Sequence, residues 1–185
     1  MTKPKVLLHI CCAPCALFPL KLLREEGYDV YGFWFNPNIH PFTEYKKRLD
    51  SVLQFSKEEG LQLIRAGGYP MEEFIRRTAY REEVRCPLCY NMRLEKTAAV
   101  AKKGDFDFFT SSLLYSKFQN HKEICSQGEA AAGKYKQKFL YRDFREGWTY
   151  GIEESKRRGY YRQQYCGCIY SEKERYRKEI EKEEI

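Results

Sequence analysis

Three cysteines fall within five residues at the end of the first apolar run, Val6-Leu7-Leu8-His9-Ile10-Cys11-Cys12-Ala13-Pro14-Cys15. The run is short and ends in a breaker, which is the pattern of a buried strand. Pro14 suits the first turn of a helix, where its missing N–H is no loss. The spacing therefore predicts Cys11 and Cys12 on a strand-to-helix turn. Thiolates there face the positive end of a helix dipole, which lowers their pKa and suits a metal group. A second thiol group lies at Arg85-Cys86-Pro87-Leu88-Cys89-Tyr90, with the two-residue gap usual for one metal or cluster. A third, Tyr165-Cys166-Gly167-Cys168, lies near the C-terminus. The fold is expected to bring these three groups together.

The chain of 185 residues is long enough for one domain with a proper core, so residues 1–185 are expected to form a single α/β domain. A chain of this size does not need disulfide staples, and six of its eight cysteines sit in pairs at ligand spacings instead. The N-terminal apolar run is interrupted by His9, the cysteines and Pro14, and Lys21 and Arg24 follow at once. No run is long enough to span a bilayer. The expectation is a cytoplasmic protein with no membrane partner.

Strands are predicted over 5–10, 28–35, 61–66 and 105–111, and helices over 14–26, 42–59, 70–80, 87–103 and 116–132. Gly27, Gly60, Gly104 and Gly133 act as helix stops. Alternating strands and helices predict a parallel sheet with helices on both faces. In such sheets the site lies beyond the carboxyl ends of the strands. Cys11-Cys12, the turn-rich loop Asn36 to Pro41 and Thr110-Ser111-Ser112 all fall there. From Lys134 the chain becomes basic and aromatic, the C-terminal portion 134–185 of the same domain. Residues 134–162 carry nine Lys/Arg against four acids, interleaved with aromatics from Tyr135 to Tyr161. Basic groups neutralise phosphates and aromatic faces stack on bases, so this segment is expected at the mouth of the site, with Arg157 and Arg158 on an RNA backbone. Tyr170 to Glu184 reads as a solvated helix.

Cys11, Cys12, Cys86 and Cys89 suit either a 4Fe–4S cluster or a structural zinc ion. Adjacent cysteines are an awkward pair for a small tetrahedral site, whereas a larger cluster takes neighbouring thiols at different irons. Cys166 and Cys168 read either as a redox pair or as further ligands or buried thiols. A disulfide across one residue is strained, and strain makes it easily reduced. Cys15 and Cys125 lack partners by spacing and read as core residues. His40, Tyr45, Arg48 and Asp143-Phe144-Arg145 read as structural or ion-pair residues, with a substrate role open for His40. A glycine-rich phosphate loop is missing after the first strand, where thiols stand instead. That opposes ATP chemistry. A zinc-stabilised, non-catalytic RNA-binding module remains the alternative to an enzyme.

The motifs Leu8-His9-Ile10-Cys11-Cys12-Ala13-Pro14-Cys15, Asn36-Pro37-Asn38-Ile39-His40-Pro41 with Glu44-Tyr45, Arg85 to Tyr90, and Tyr161 to Cys168 occur in that order. Together they resemble the QueH family of cobalamin-independent epoxyqueuosine reductases, over residues 5 to about 171. The resemblance implies an adenine-nucleotide-hydrolase-like (HUP/PP-loop-like) α/β sandwich. It implies an oxidoreductase that converts epoxyqueuosine to queuosine at the tRNA wobble position, the last step of queuosine biosynthesis. It further implies that Cys11, Cys12, Cys86 and Cys89 hold a 4Fe–4S cluster and that Cys166 and Cys168 form the redox-active disulfide. A second iron or other metal ion nearby is compatible with the family, without assigned ligands. The partners implied are tRNA and an unidentified electron donor.

Overall fold

A computed structural model describes residues 2–183. At its centre lies β1 (Lys5–His9), whose last four residues are buried. On one side β1 pairs in parallel with β2 (Asp29–Trp34), Leu7 opposite Tyr31. On the other it pairs in parallel with β4 (Phe108–Ser111), Leu7 opposite Phe109. The short strands β3 (Leu63–Arg65) and β5 (Lys138–Phe139) complete a five-stranded parallel sheet of order β3-β2-β1-β4-β5. A strand covered on both faces must be apolar along its whole length, as Val6-Leu7-Leu8 is.

The first crossovers use α1 (Ala13–Glu25) and α2 (Phe42–Glu58), which pack together on one face. The chain then returns through α3 (Met71–Thr78) and α4 (Arg85–Lys103) to β4, and through α5 (His121–Tyr135) to β5, covering the other face. Right-handed crossovers require this change of face when the strand order reverses. The reversal lies between β1 and β4. The connections beyond their carboxyl ends lead to opposite faces and leave a crevice, the usual place for a site in an open parallel sheet. Cys11 follows β1 and Ser112 follows β4, so both stand at its floor.

After β5 the chain crosses to the α1 face. The tight turn Phe144–Gly147 leads into α6 (Trp148–Arg157), which packs on α1. Two short helices close the described chain, α7 (Ile169–Arg175) and α8 (Arg177–Glu183). They are separated at Tyr176, so the single solvated helix expected over 170–184 is broken; Glu184 lies outside the described residues. The fifth helix begins later than expected, because Ser112–Tyr115 forms a separate tight turn and Asn120 caps α5 by accepting the Glu123 N–H at 3.1 Å. Gly133 does not stop it. The helix runs on to Tyr135 and ends at Lys136, held at φ 51°. No helix of the described residues is long and apolar enough to cross a membrane.

The α1–α6 contact depends on Gly147. A Cβ there would meet the Phe18 ring at 1.9 Å, and Phe18 also packs edge-on against Tyr150. Gly147→Ala must displace Phe18 from α1. It is expected to lower unfolding free energy by about 1–3 kcal/mol, read as a shift of the urea midpoint at unchanged slope.

Candidate thiol and metal centre

The first turn of α1 builds the floor of the crevice. Cys12 is its N-cap residue, Pro14 lies in the first turn, and Cys15 follows on the same turn. The Sγ atoms of Cys11, Cys12 and Cys15 all lie within 4.8 Å of one another. Cys15 is buried in the core as expected, and it also joins the first thiol group, because one helical turn brings it back over Cys11 and Cys12. Pro19 has no N–H to offer the Cys15 carbonyl one turn back. Ser112 holds Cys11 from across the crevice: its hydroxyl accepts the Cys11 N–H at 3.1 Å and donates to the Cys11 Sγ at 3.3 Å.

These thiols share their protons unequally. Hydrogen bonds from Cys12 and Cys15, and then from Ser112, hold Cys11 well below the usual thiol range. Cys12 is pushed up, first by burial and then by its bond to Cys11, while Cys15 is pushed up by its bonds to Cys11 and Cys12. One sulfur is thus prepared as a thiolate, and a cation would draw the remaining protons off the other two. The triad can bind a metal.

His9 braces the strand ends beneath. Its Nε2 faces the Phe35 carbonyl at 3.2 Å and so carries the proton, leaving Nδ1 to accept from the Ser111 hydroxyl at 2.9 Å. Burial, with the positive charge of Arg93, pushes His9 down to about 4, so it is neutral at pH 7.

The second group comes from the first turns of α4. Cys86 is exposed and Cys89 buried, three residues apart on one helix face. Burial raises both, Cys89 to about 12. Arg93 follows four residues later on that face. Its side chain is 2% exposed, and Nε donates to the Cys89 carbonyl at 3.2 Å. Nη2 is buried without a hydrogen-bond partner. Sequence reasoning passed over Arg93, although the spacing 86, 89, 93 places it on the thiol-bearing face.

The third group is brought back by a clamp on α2. Arg48, 1% exposed, pairs with Glu44 at 2.7 Å and donates to two successive carbonyls, Cys166 at 2.7 Å and Tyr165 at 3.0 Å. Tyr161 donates to Glu44, and Tyr165 donates to the His40 carbonyl at 2.5 Å. The His40 N–H donates to the Gly167 carbonyl at 2.8 Å. His40 is therefore a buried joint between the 36–41 loop and the third thiol group, its ring against Phe74. Gly167 has φ 148°, and a Cβ there would crowd Asn38 and Arg48. Cys168 is buried in a small cluster with Phe74, Cys89 and Met92, whereas Cys166 is exposed and accepts from Gln119 at 3.3 Å. Cys125 lies apart on α5 and stays a partly buried packing residue.

A cavity of about 410 Å³ opens between the first and third thiol groups; Cys86 and Cys89 do not line it, and α4 reaches it through Arg93. Cys11, Cys15, Arg93 and Cys166 face it, with Tyr115, Phe118 and Trp148 as aromatic wall. The basic segment is split by the fold. Trp148, Gly151, Ile152, Ser155 and Arg162 reach the cavity. Arg157 and Arg158 do not: they pair with Glu154, and Arg158 also with Glu58 and Glu59 where α2 ends, at the opposite edge of the sheet. Lys134, Arg142 and Arg145 are likewise tied to Glu95, Glu26 and Asp143. The expected placement of the whole segment at the mouth fails because ion pairing, which composition does not reveal, consumes much of its charge elsewhere.

Fold and site together define a parallel α/β protein with a thiol-lined crevice at the carboxyl ends of its central strands. The family described as "Epoxyqueuosine reductase QueH" matches residues 6–174, and the chain belongs to that family of oxidoreductases. The epoxyqueuosine reductase QueH of Dehalococcoides mccartyi is 41% identical over 175 residues, 95% of this chain and 96% of that protein. The protein of the same name from Thermotoga maritima is 37% identical over 187 residues, 95% and 94% of the two chains. Among solved structures, a predicted subunit of a tRNA methyltransferase from Methanocaldococcus jannaschii shares the fold. Its TM-score is 0.53 at 11% identity, over 83% of this chain and 74% of that one.

Arg48→Met leaves Glu44 buried with its main partner gone, which costs about 3–5 kcal/mol. Alkylation of Cys168 by iodoacetamide is expected to accelerate as the 165–168 segment comes free. Replacing Glu44 by Met as well is expected to recover part of the stability. A single variant as stable as the parent, with Cys168 still protected, refutes the clamp.

Proposed function

We propose that this protein reduces epoxyqueuosine to queuosine at the wobble position of tRNA, with Cys166 and Cys168 as the reductant pair beside a 4Fe–4S cluster. The observation that supports this most is the single cavity faced by Cys11 and Cys15 from the first thiol group and by Cys166 from the third. The donor set suits the cluster. Thiols are the ligands such clusters take. Three of them, Cys11, Cys12 and Cys15, already lie with their Sγ atoms within 4.8 Å of one another. In this reading Cys11, Cys12, Cys86 and Cys89 hold it, and Cys15 is a fifth thiol beside them, available to a further metal ion. When bound, the cluster supplies a Lewis acid for the departing oxygen and a route for electrons.

The remaining work belongs to the chain. The reaction balances as epoxide plus two thiols giving alkene, disulfide and water. Cys166 and Cys168 lose two electrons and two protons, the carbon–oxygen bonds of the epoxide break, and the oxygen leaves as water. Exposed Cys166 meets the substrate side, while buried Cys168 waits behind it to close the disulfide. An external donor then restores the dithiol. A base splayed from the anticodon loop would stack on the Trp148 and Phe118 wall, with Arg162 and Lys117 near its phosphates. This substrate places the protein in the cytoplasm.

Anaerobic loading with iron and sulfide should give a brown protein with a broad band near ~400 nm, where zinc would leave it colourless. Cys86→Ser is expected to lose iron and turnover together. Cys168→Ser is expected to keep iron and colour yet stop multiple turnover on tRNA bearing epoxyqueuosine. A Cys86→Ser protein with full iron, or a Cys168→Ser protein without it, redistributes the ligands. Undiminished turnover in Cys168→Ser removes the pair from the chemistry. Arg162→Ala should weaken tRNA binding and flatten its salt dependence by about one phosphate contact.

A further inference from the structure

Two arginines are almost wholly buried, and only one is paired. Arg48 has Glu44 and two carbonyls. Arg93, among the described residues, has one hydrogen bond, to the carbonyl of Cys89 on its own helix, and lies over the Tyr90 ring at 5.9 Å. A buried guanidinium without a counter-charge is strongly unfavourable, and a fold keeps one where an anion is to be received. Nη2 is enclosed without a partner, and the Arg93 side chain lines the cavity that Cys11 and Cys166 also line. Among the described residues no thiol sulfur accepts a hydrogen bond from Arg93, and the Cys11 Sγ is engaged by Ser112 instead.

Given the reaction read for this site, on which the inference rests, one anion must develop inside that cavity. As a carbon–oxygen bond of the epoxide breaks, the oxygen gathers negative charge before two protons convert it to water. We propose that Arg93 is a catalytic residue whose guanidinium donates a hydrogen bond to this departing oxygen. A donor fixed in a site shielded from water needs no reorganisation when the charge appears. The two protons come from Cys166 and Cys168 as they oxidise, so Arg93 stays charged throughout and returns unpaired when water leaves. The ground-state epoxide, nearly neutral, gains less from it, so the effect falls on kcat rather than on substrate binding.

The test compares wild type, Arg93→Lys and Arg93→Met, each loaded with iron and sulfide and each also metal-free. Removing one such donor is expected to lower kcat by about 10²–10³-fold, with KM for tRNA bearing epoxyqueuosine within about twofold. Arg93→Lys, which keeps a charge but not the fork, should recover part of the rate. Iron content should match wild type. The thermal midpoint of metal-free Arg93→Met should stay level or rise, because an unpaired buried charge has been replaced by an apolar chain of similar length. Three results overturn the proposal. Iron loss in Arg93→Met makes the residue a counter-ion to the metal group. A midpoint lowered in the metal-free protein makes it structural. Unchanged kcat makes it a bystander. Failure of the parent reading looks different: iron-loaded wild type itself releases no queuosine.

Discussion

Parallel pairing of β1 with β2 on one flank and β4 on the other is the constraint from which the site follows. Parallel strands need long crossovers, and crossovers of one hand must change face when the strand order turns back. The crevice between the ends of β1 and β4 is what remains where the helices part. Cys11 and Ser112 stand at the same level on its two walls because Leu8 and Thr110 are register partners, as are His9 and Ser111. The Ser112–Cys11 contacts are therefore a consequence of sheet register, and His9 secures that register with a neutral, doubly bonded imidazole.

Buried charge organises the rest. Arg48 and Glu44 spend theirs inside the protein, pinning the backbone of Tyr165 and Cys166 against α2. Without that clamp, the third thiol group would hang from a short loop before α7. Arg93 leaves its charge unspent at the cavity. The contrast separates a structural ion pair, fully satisfied and turned toward backbone, from a cation held available for a ligand. The surface arginines of α6 belong to neither class: their pairs with Glu154, Glu58 and Glu59 are partly exposed, a type usually worth ~0–1 kcal/mol each.

Much of this was legible in the chain. The order of strands and helices, the strand-to-helix turn at Cys11 and Cys12, and the placement of the 36–41 loop at the same edge follow from hydrophobic period and breakers. What escaped did so for identifiable reasons. β5 has only two residues, too few to show a period, and its place comes from pairing with β4. The start of α5 was hidden because Ser112–Tyr115 forms its own turn. Gly133 was read as a stop, although a glycine within a helix costs only about 1 kcal/mol and packing overrides it. Arg93 carried a faint signal in the helical spacing from Cys89, but nothing in sequence says whether an arginine is paired.

The residue types and their spacing determine which chemistry is available: thiols in three groups, a proline that starts a helix, a glycine between two cysteines. They also determine the fold class, because alternation of apolar strands with amphipathic helices permits few arrangements. Tertiary structure alone decided which thiols meet. Cys168 meets Cys89 in a small buried cluster, and Cys11, Cys15 and Cys166 face one cavity. It likewise decided which of the many basic groups stay free. The reason is physical: thiol spacing is a local property of the chain, whereas burial and hydrogen bonding depend on distant partners, as from Arg48 to Cys166, 118 residues away.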